Sequence, residues 1–110
     1  MHTVSKTQDQ TIYLLMELGV PAHRIGYKLL CLAIPLFAEN DTQTLSKELY
    51  PVVAAEVGYC DWRAAEHSIR DVIVTAWNQR NPAVWAKYFP DCRRPPSNKQ
   101  FIATLAQFAR

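Results

Sequence analysis

The stretch "DWRAAEHSIRDVIVTAW", residues 61–77, has the periodicity of an amphipathic α-helix. On a helical wheel its apolar residues fall on one face and its charged residues fall on the opposite face. The apolar face runs along the whole stretch, so we predict that this helix is central to the core. The apolar face comprises Trp62, Ala65, Ile69, Val72, Ile73 and Ala76, and the polar face comprises Arg63, Glu66, His67 and Arg70.

A second helical segment precedes this stretch and is joined to it by a short turn. The segment "TLSKELYPVVAAEV", residues 44–57, is followed by "GYC" and then by the amphipathic stretch. Two helices joined by a short turn that contains glycine are typical of a helix-turn-helix. The second helix of that motif lies in the major groove of DNA, where its N-terminal residues reach base edges. An ordinary solvated helix face would show the same charged residues, since their four-residue spacings are common on exposed surfaces.

The rest of the chain is also helical in pattern, and no segment alternates with the period of a β-strand. We therefore predict an all-α domain of about six helices, in which the third and fourth form the helix-turn-helix. The length of 110 residues fits one domain with one core. The predicted helices span about residues 7–18, 24–39, 42–57, 62–80, 82–89 and 98–108.

Capping signals predict where several helices begin. The capping-box spacing of residues 7–10 predicts the start of the first helix, preceded by a disordered tail over residues 1–6. The same spacing at residues 97–100 predicts the start of the last helix. Asp61 and Asn81 are predicted N-caps of the fourth and fifth helices. The core stripe predicted for the first helix comprises Ile12, Leu14, Leu15 and Leu18.

Glycine and proline predict where helices end or bend. Gly19 is expected to end the first helix and Gly58 the third, since glycine readily adopts the left-handed conformation found after a helix C-terminus. Pro35 lies inside the second helix and predicts a kink or an early break there. Pro51 lies inside the third and predicts a bend or a restart.

Composition excludes several classes of protein. The chain is 49% hydrophobic and 20% charged, which is typical of a compact fold. No apolar run approaches the roughly 18 residues of a membrane span, and the polar N-terminus is not a signal peptide. Three widely spaced cysteines indicate reduced thiols in a cytoplasmic protein, without a disulfide framework or a metal site. No nucleophile–base pair, glycine-rich phosphate loop or carboxylate pair is present, so we expect neither an enzyme nor a cofactor.

The charge is distributed unevenly along the chain. Residues 1–60 contain four Lys/Arg and six Asp/Glu, a net charge of −2. Residues 61–110 contain eight Lys/Arg and four Asp/Glu, a net charge of +4. A basic half is compatible with a polyanionic partner, although many domains without one show the same bias.

Four segments together resemble one known family. They are "LGVPAHRIGYKLL" (residues 18–30), "SKELYP" (46–51), "EHSIRDVIVTAW" (66–77) and "PPSNKQFIATLA" (95–106). In this order they are similar to segments of the C-terminal effector domain of the stage-zero sporulation response regulators. The resemblance covers about residues 12–109, nearly the whole chain.

The resemblance implies a fold, a partner and a process. It implies six helices with the third and fourth as the helix-turn-helix, in a transcription factor that controls sporulation. It implies double-stranded DNA as the partner, at promoter elements with a TGTCGAA-like core and with self-association on tandem sites. It also implies contact with an RNA polymerase sigma factor around residues 78–89. The family carries an N-terminal receiver domain, so we expect either a domain excised from a longer chain or a stand-alone effector.

The resemblance also assigns base-reading residues. Glu66 and Arg70 match the family's base-reading glutamate and second arginine, which suit cytosine and guanine respectively. His67 stands where the family has its first arginine, and Asp71 stands where it has histidine. Arg63 could partly replace the lost arginine. We therefore predict base contacts by Arg63, Glu66, His67 and Arg70, with an altered target or weaker binding.

Phosphate contacts are predicted on both sides of these residues. The free N–H groups at the start of the last helix favour an anion, and the first helix of the motif often crosses the DNA backbone. The predicted phosphate contacts are Ser46, Lys47, Arg93, Arg94, Ser97, Asn98 and Lys99.

One alternative belongs to another functional class. With His67 and Asp71 in place of basic side chains, the domain could be a receiver-less protein-interaction module. Such a module would modulate a full-length regulator or a sigma factor without binding DNA specifically. A salt-dependent mobility shift separates the two hypotheses.

Overall fold

The computed structural model of the protein describes residues 3–110, and side chains from residue 6 onward. Across this part the chain forms six α-helices and no β-strand, which confirms the predicted all-α fold. A π-helical turn, Leu45–Leu49, leads directly into the third helix. The helices are α1 (Thr3–Glu17), α2 (Ile25–Glu39), α3 (Tyr50–Glu56), α4 (Trp62–Asn78), α5 (Pro82–Trp85) and α6 (Asn98–Ala109).

Helix α2 lies at the centre of the domain and packs against α1, α4 and α6. It is largely apolar, so it can bury side chains against several neighbours at once. The helix continues through Pro35 to Glu39 without the predicted break, because the proline removes only one backbone donor from an otherwise well-packed helix. None of the helices in the described part is long and apolar enough to cross a membrane.

Helix α1 begins earlier than the capping signal predicted. It starts at Thr3, so the predicted start at residue 7 is wrong, because the preceding turn already satisfies the backbone donors there. Residues 1 and 2 of the predicted disordered tail lie outside the described residues, and residues 3–6 are helical. Ile12 is 39% exposed and does not belong to the core stripe. Thr11 is fully buried in its place and donates its hydroxyl to the Thr7 carbonyl at 2.8 Å.

Two glycines end α1 and α3 as predicted. Gly19 has φ +78° and Gly58 has φ +85°, values that glycine adopts without steric cost. After α1, the Val20 amide donates back to the Leu15 carbonyl at 3.0 Å. The same 6→1 bond follows α3, where an amide at residue 59 donates to residue 54 at 2.8 Å. Because Gly58 ends α3, the chain can turn there before α4 begins.

The predicted helix over residues 42–57 changes type near Pro51 and is not interrupted there. The π-helical turn ends at Leu49, and α3 begins with Pro51 in its first turn. Asp61 caps α4, since its carboxylate accepts from the Arg63 amide at 2.9 Å. The rings of Tyr50 and Trp62 stack at 6.0 Å between centroids, which holds α3 against the start of α4.

The segment between α4 and α6 packs its aromatic residues into the core. The Trp85 ring meets Trp77 edge-on at 5.5 Å and donates its Nε1–H to the Leu18 carbonyl at 3.0 Å. Asn81 caps α5 as predicted, accepting from the amide of residue 83 at 3.0 Å. Helix α5 ends at Trp85 and not near residue 89. Ser97 caps α6 as predicted, accepting from an amide in its first turn at 3.1 Å.

The carboxylate of Glu17, at the end of α1, binds the segment that follows α5 through hydrogen bonds. Glu17 accepts hydrogen bonds from Lys87 Nζ at 2.9 Å and from Tyr88 Oη at 2.5 Å. The bonds from Lys87 and Tyr88 lower the pKa of Glu17. Burial, followed by the hydrogen bond to Glu17, raises the pKa of Tyr88 to about 12.

This arrangement predicts a loss of stability at alkaline pH. Folded Tyr88 holds its proton more tightly than unfolded tyrosine, whose pKa is about 10. Its contribution is therefore complete below pH 10 and is lost as the pH rises toward 12. We expect the thermal midpoint of Tyr88→Phe to fall less steeply above about pH 10 than that of the wild type. Parallel curves for Tyr88→Phe and wild type would contradict the prediction.

Candidate nucleic-acid interface

An open groove of about 1090 Å³ lies between α4, the start of α6, the loop before α6 and the π-helical turn. Residues from three distant segments of the sequence meet in it. Nine of the eleven residues predicted to contact DNA line the groove, and Lys47 and Arg63 do not. The nine are Ser46, Glu66, His67, Arg70, Arg93, Arg94, Ser97, Asn98 and Lys99.

One wall of the groove is the first half of α4. We call Glu66, His67 and Arg70 the reading face, since these three predicted base-reading residues line the groove together. His67 is exposed, whereas Glu66 and Arg70 are half-buried. Arg63 lies apart from them, with its guanidinium 3.6 Å from the Asp61 carboxylate and over the ring of the adjacent tryptophan.

The opposite wall is basic. We call Arg93, Arg94 and Lys99 the basic cluster; all three are exposed, and all three line the groove. Within the described chain, none of the three forms an ion pair. Asp91 and Glu66 are the acidic residues of the lining, so the groove keeps a positive excess suited to a polyanion.

Arg70 makes a contact that the sequence did not predict. Its Nη1 donates to the Pro96 carbonyl in the loop before α6, at 2.5 Å. A guanidinium has five N–H donors, so the remaining donors of Arg70 can still bind a base edge. The contact directs the side chain across the groove toward the loop that carries Arg93 and Arg94.

The side chain of Asn98 is placed differently from the prediction. Its Nδ2 donates to Tyr50 Oη and to the Glu66 carbonyl, each at 3.1 Å. Both N–H groups of the amide are therefore used within the protein, and a phosphate oxygen can only accept. Only the backbone N–H of Asn98 therefore remains available for the predicted phosphate contact. The Ser97 hydroxyl already accepts from the helix as a cap and keeps its own proton free to donate.

The buried hydroxyl of Tyr50 belongs to the same contact. Burial raises the pKa of Tyr50, the hydrogen bond from Asn98 lowers it by less, and the charge of Glu66 raises it further. The phenol therefore stays protonated at neutral pH and accepts from Asn98.

Asp71, which stands where the family has histidine, is paired within the protein. Its carboxylate pairs with Arg24, from the turn before α2, at 2.5 Å. The side chains of Arg24 and Asp71 are 43% and 55% exposed, so the pair is screened by solvent. The pairing offsets the charge that Asp71 would otherwise present beside the reading face.

The described residues contain no gathered group of three or more His, Cys, Asp or Glu that could hold a metal ion. The three cysteines are free thiols. Cys92 lies in the groove, where its sulfur is 3.5 Å from the Gln100 side-chain nitrogen.

The chain matches a family model described as "Sporulation initiation factor Spo0A C terminal" over residues 11–108. The match covers nearly the whole chain, including every residue that lines the groove. It confirms the resemblance carried by the four sequence segments. The family consists of helical DNA-binding transcription-factor domains and is not an enzyme family. The chain belongs to the family of sporulation initiation factor Spo0A C-terminal domains.

Proposed function

We propose that this protein is a sequence-specific regulator of transcription whose helix α4 lies in the major groove of promoter DNA. The observation that carries the proposal is the meeting of the reading face and the basic cluster in one groove. Base edges supply specificity and phosphates supply position and affinity, so a DNA-reading surface needs both kinds of contact side by side. The positive excess of the groove favours DNA over a neutral partner.

Each wall of the groove has a distinct role in this proposal. Arg70 meets O6 and N7 of a guanine, Glu66 accepts from N4 of a cytosine, and His67 makes a shorter single contact. The basic cluster binds phosphates, together with Ser97 and the backbone N–H groups at the start of α6. On the other side, Ser46 and Lys47 are exposed on the π-helical turn and contact the backbone there.

The other proposed partners use surfaces away from the groove. The segment over residues 78–89 is largely exposed and contributes nothing to the groove lining, which supports contact with a sigma factor while DNA is bound. Two copies of the domain bound to adjacent DNA elements would lie side by side, which would allow self-association on tandem sites. The proposed site of action is the cytoplasm, where the promoter DNA lies.

The proposal is tested by selecting binding sites from random-sequence duplexes and measuring mobility shifts at two salt concentrations. We expect nanomolar-range binding that falls steeply between about 50 and about 200 mM salt. The selected element should depart from the TGTCGAA-like core at the base that faces His67. Weak binding without sequence preference would overturn the proposal and favour a protein-interaction module that modulates a full-length regulator or sigma factor.

The Arg24–Asp71 pair predicts a small electrostatic effect on DNA binding. Removing Arg24 leaves the Asp71 carboxylate unpaired near the DNA phosphates, so Arg24→Ala should weaken binding by about two-fold at low salt. The added change Asp71→Asn should restore the affinity. Arg110→Ala is the matched control, since it breaks a surface ion pair with Asp41, a residue that lies neither on α4 nor in the groove. Mobility shifts at low and high salt check the prediction, which fails if both arginine variants behave alike.

A further inference from the structure

The start of α6 is fastened to the reading face by side-chain hydrogen bonds. Asn98 donates to the Glu66 carbonyl and to Tyr50 Oη, and Arg70 donates to the Pro96 carbonyl. These partners are 26 to 48 residues apart in sequence, so the bonds join separate elements of the fold. The loop that carries Arg93 and its neighbour is thereby held on the helix that carries Glu66 and Arg70.

In the part of the chain that the structure describes, the side-chain amide of Asn98 has hydrogen-bond partners for its nitrogen and none for its oxygen. The Oδ1 atom of Asn98 is buried and has no hydrogen-bond partner among the described residues. A buried acceptor without a partner costs free energy. The two donated bonds have to offset that cost, and both of them join the start of α6 to another part of the fold.

We propose that Asn98 is a positioning residue for DNA recognition, an inference that rests on the function proposed above. It sets the distance between the basic cluster and the reading face. The distance between phosphates and base edges is a property of the duplex. The basic cluster and the reading face must therefore be held at the matching distance from each other, so that both can bind at once. The hydrogen bond from Asn98, the first residue of α6, to the Glu66 carbonyl fixes this distance directly.

A positioning residue should affect specificity alone, whereas a phosphate contact would affect specific and sequence-blind affinity together. Charge alone provides sequence-blind affinity and its salt dependence. The distance between the basic cluster and the reading face determines whether Glu66 and Arg70 meet their bases while the basic cluster holds the backbone. Loss of Asn98 removes no charge, so it should lower specificity and leave sequence-blind affinity nearly unchanged.

The test compares Asn98→Ala with two controls on two duplexes. One duplex carries the element selected from random DNA, and the other carries the same bases in scrambled order. For Asn98→Ala we expect the affinity ratio between the duplexes to fall about ten-fold, with scrambled-duplex affinity within about two-fold of wild type and the salt slope unchanged. Tyr50→Phe keeps the bond to Glu66 and should keep the ratio within about two-fold. Arg94→Ala should weaken both duplexes and reduce the salt slope by about 0.9.

The outcomes distinguish this inference from the function on which it rests. A wild-type protein that does not distinguish the two duplexes overturns the proposed function. A discriminating wild type with an unchanged ratio in Asn98→Ala overturns the positioning role alone. Equal losses on both duplexes, with a reduced salt slope, would make Asn98 a phosphate contact and would also overturn it. Circular dichroism checks folding, and if Asn98→Ala does not fold, Asn98→Ser is measured under the same criteria, since its short side chain cannot reach both partners.

Discussion

Gly26→Ala is expected to destabilise the domain by about 3 kcal/mol, the upper part of the usual range for overpacking. A Cβ atom at Gly26 would lie 2.2 Å from the Ser68 carbonyl oxygen and 2.8 Å from Val72 Cγ2. Ser68 lies in the middle of α4, so its backbone can move only if the helix moves with it. The absence of a side chain at Gly26 therefore allows α2 and α4 to pack closely.

Urea denaturation of Gly26→Ala and wild type measures this effect. Gly19→Ala is the matched control, because a Cβ atom at Gly19 would meet nothing within 4 Å. Its cost should be roughly 1 kcal/mol, from the left-handed backbone alone. If Gly26→Ala costs no more than Gly19→Ala, close packing of α2 on α4 is not what that position requires.

Arg70→Ala is expected to remove about 1–3 kcal/mol of discrimination for the selected element, a loss of roughly 5-fold to 160-fold in specific affinity. Arg70 is the residue of the reading face whose planar fork can bind guanine with two hydrogen bonds. It also donates to the Pro96 carbonyl, so the substitution loosens the loop that carries Arg93 and Arg94. The loss of the guanine contact and the loosening of the loop both weaken specific binding.

Competition mobility shifts with the selected and scrambled duplexes measure the loss. Arg110→Ala provides the control, since it removes the same charge at a residue outside the groove that is not predicted to contact DNA. Its specific affinity should stay within about two-fold of wild type, because its charge is shared with Asp41. Arg70→Lys keeps the charge and loses the fork, so it should retain sequence-blind affinity and lose specificity. Wild-type affinity of Arg70→Ala at matched salt would remove Arg70 from the reading face.

Local signals in the sequence predicted most of the helix boundaries. Asp61 and Ser97 cap their helices, because a side-chain oxygen and an amide two or three residues ahead can meet whatever the rest of the fold does. Gly19 ends α1 for a similarly local reason. The signal at Thr7 failed because the same spacing is compatible with a helix that starts one turn earlier.

The sequence by itself therefore determined the helices, the apolar stripe of α4 and the family, since these depend on interactions within a few residues or on motifs spread along the chain. Only the tertiary structure decided which polar residues meet. It brought Arg70 to Pro96 and Asn98 to Glu66, it paired Asp71 with Arg24, and it left Arg63 outside the groove. The physical reason is distance along the chain: these partners are 26 to 47 residues apart, and they meet only because α4 and α6 pack together and the turn before α2 lies against α4.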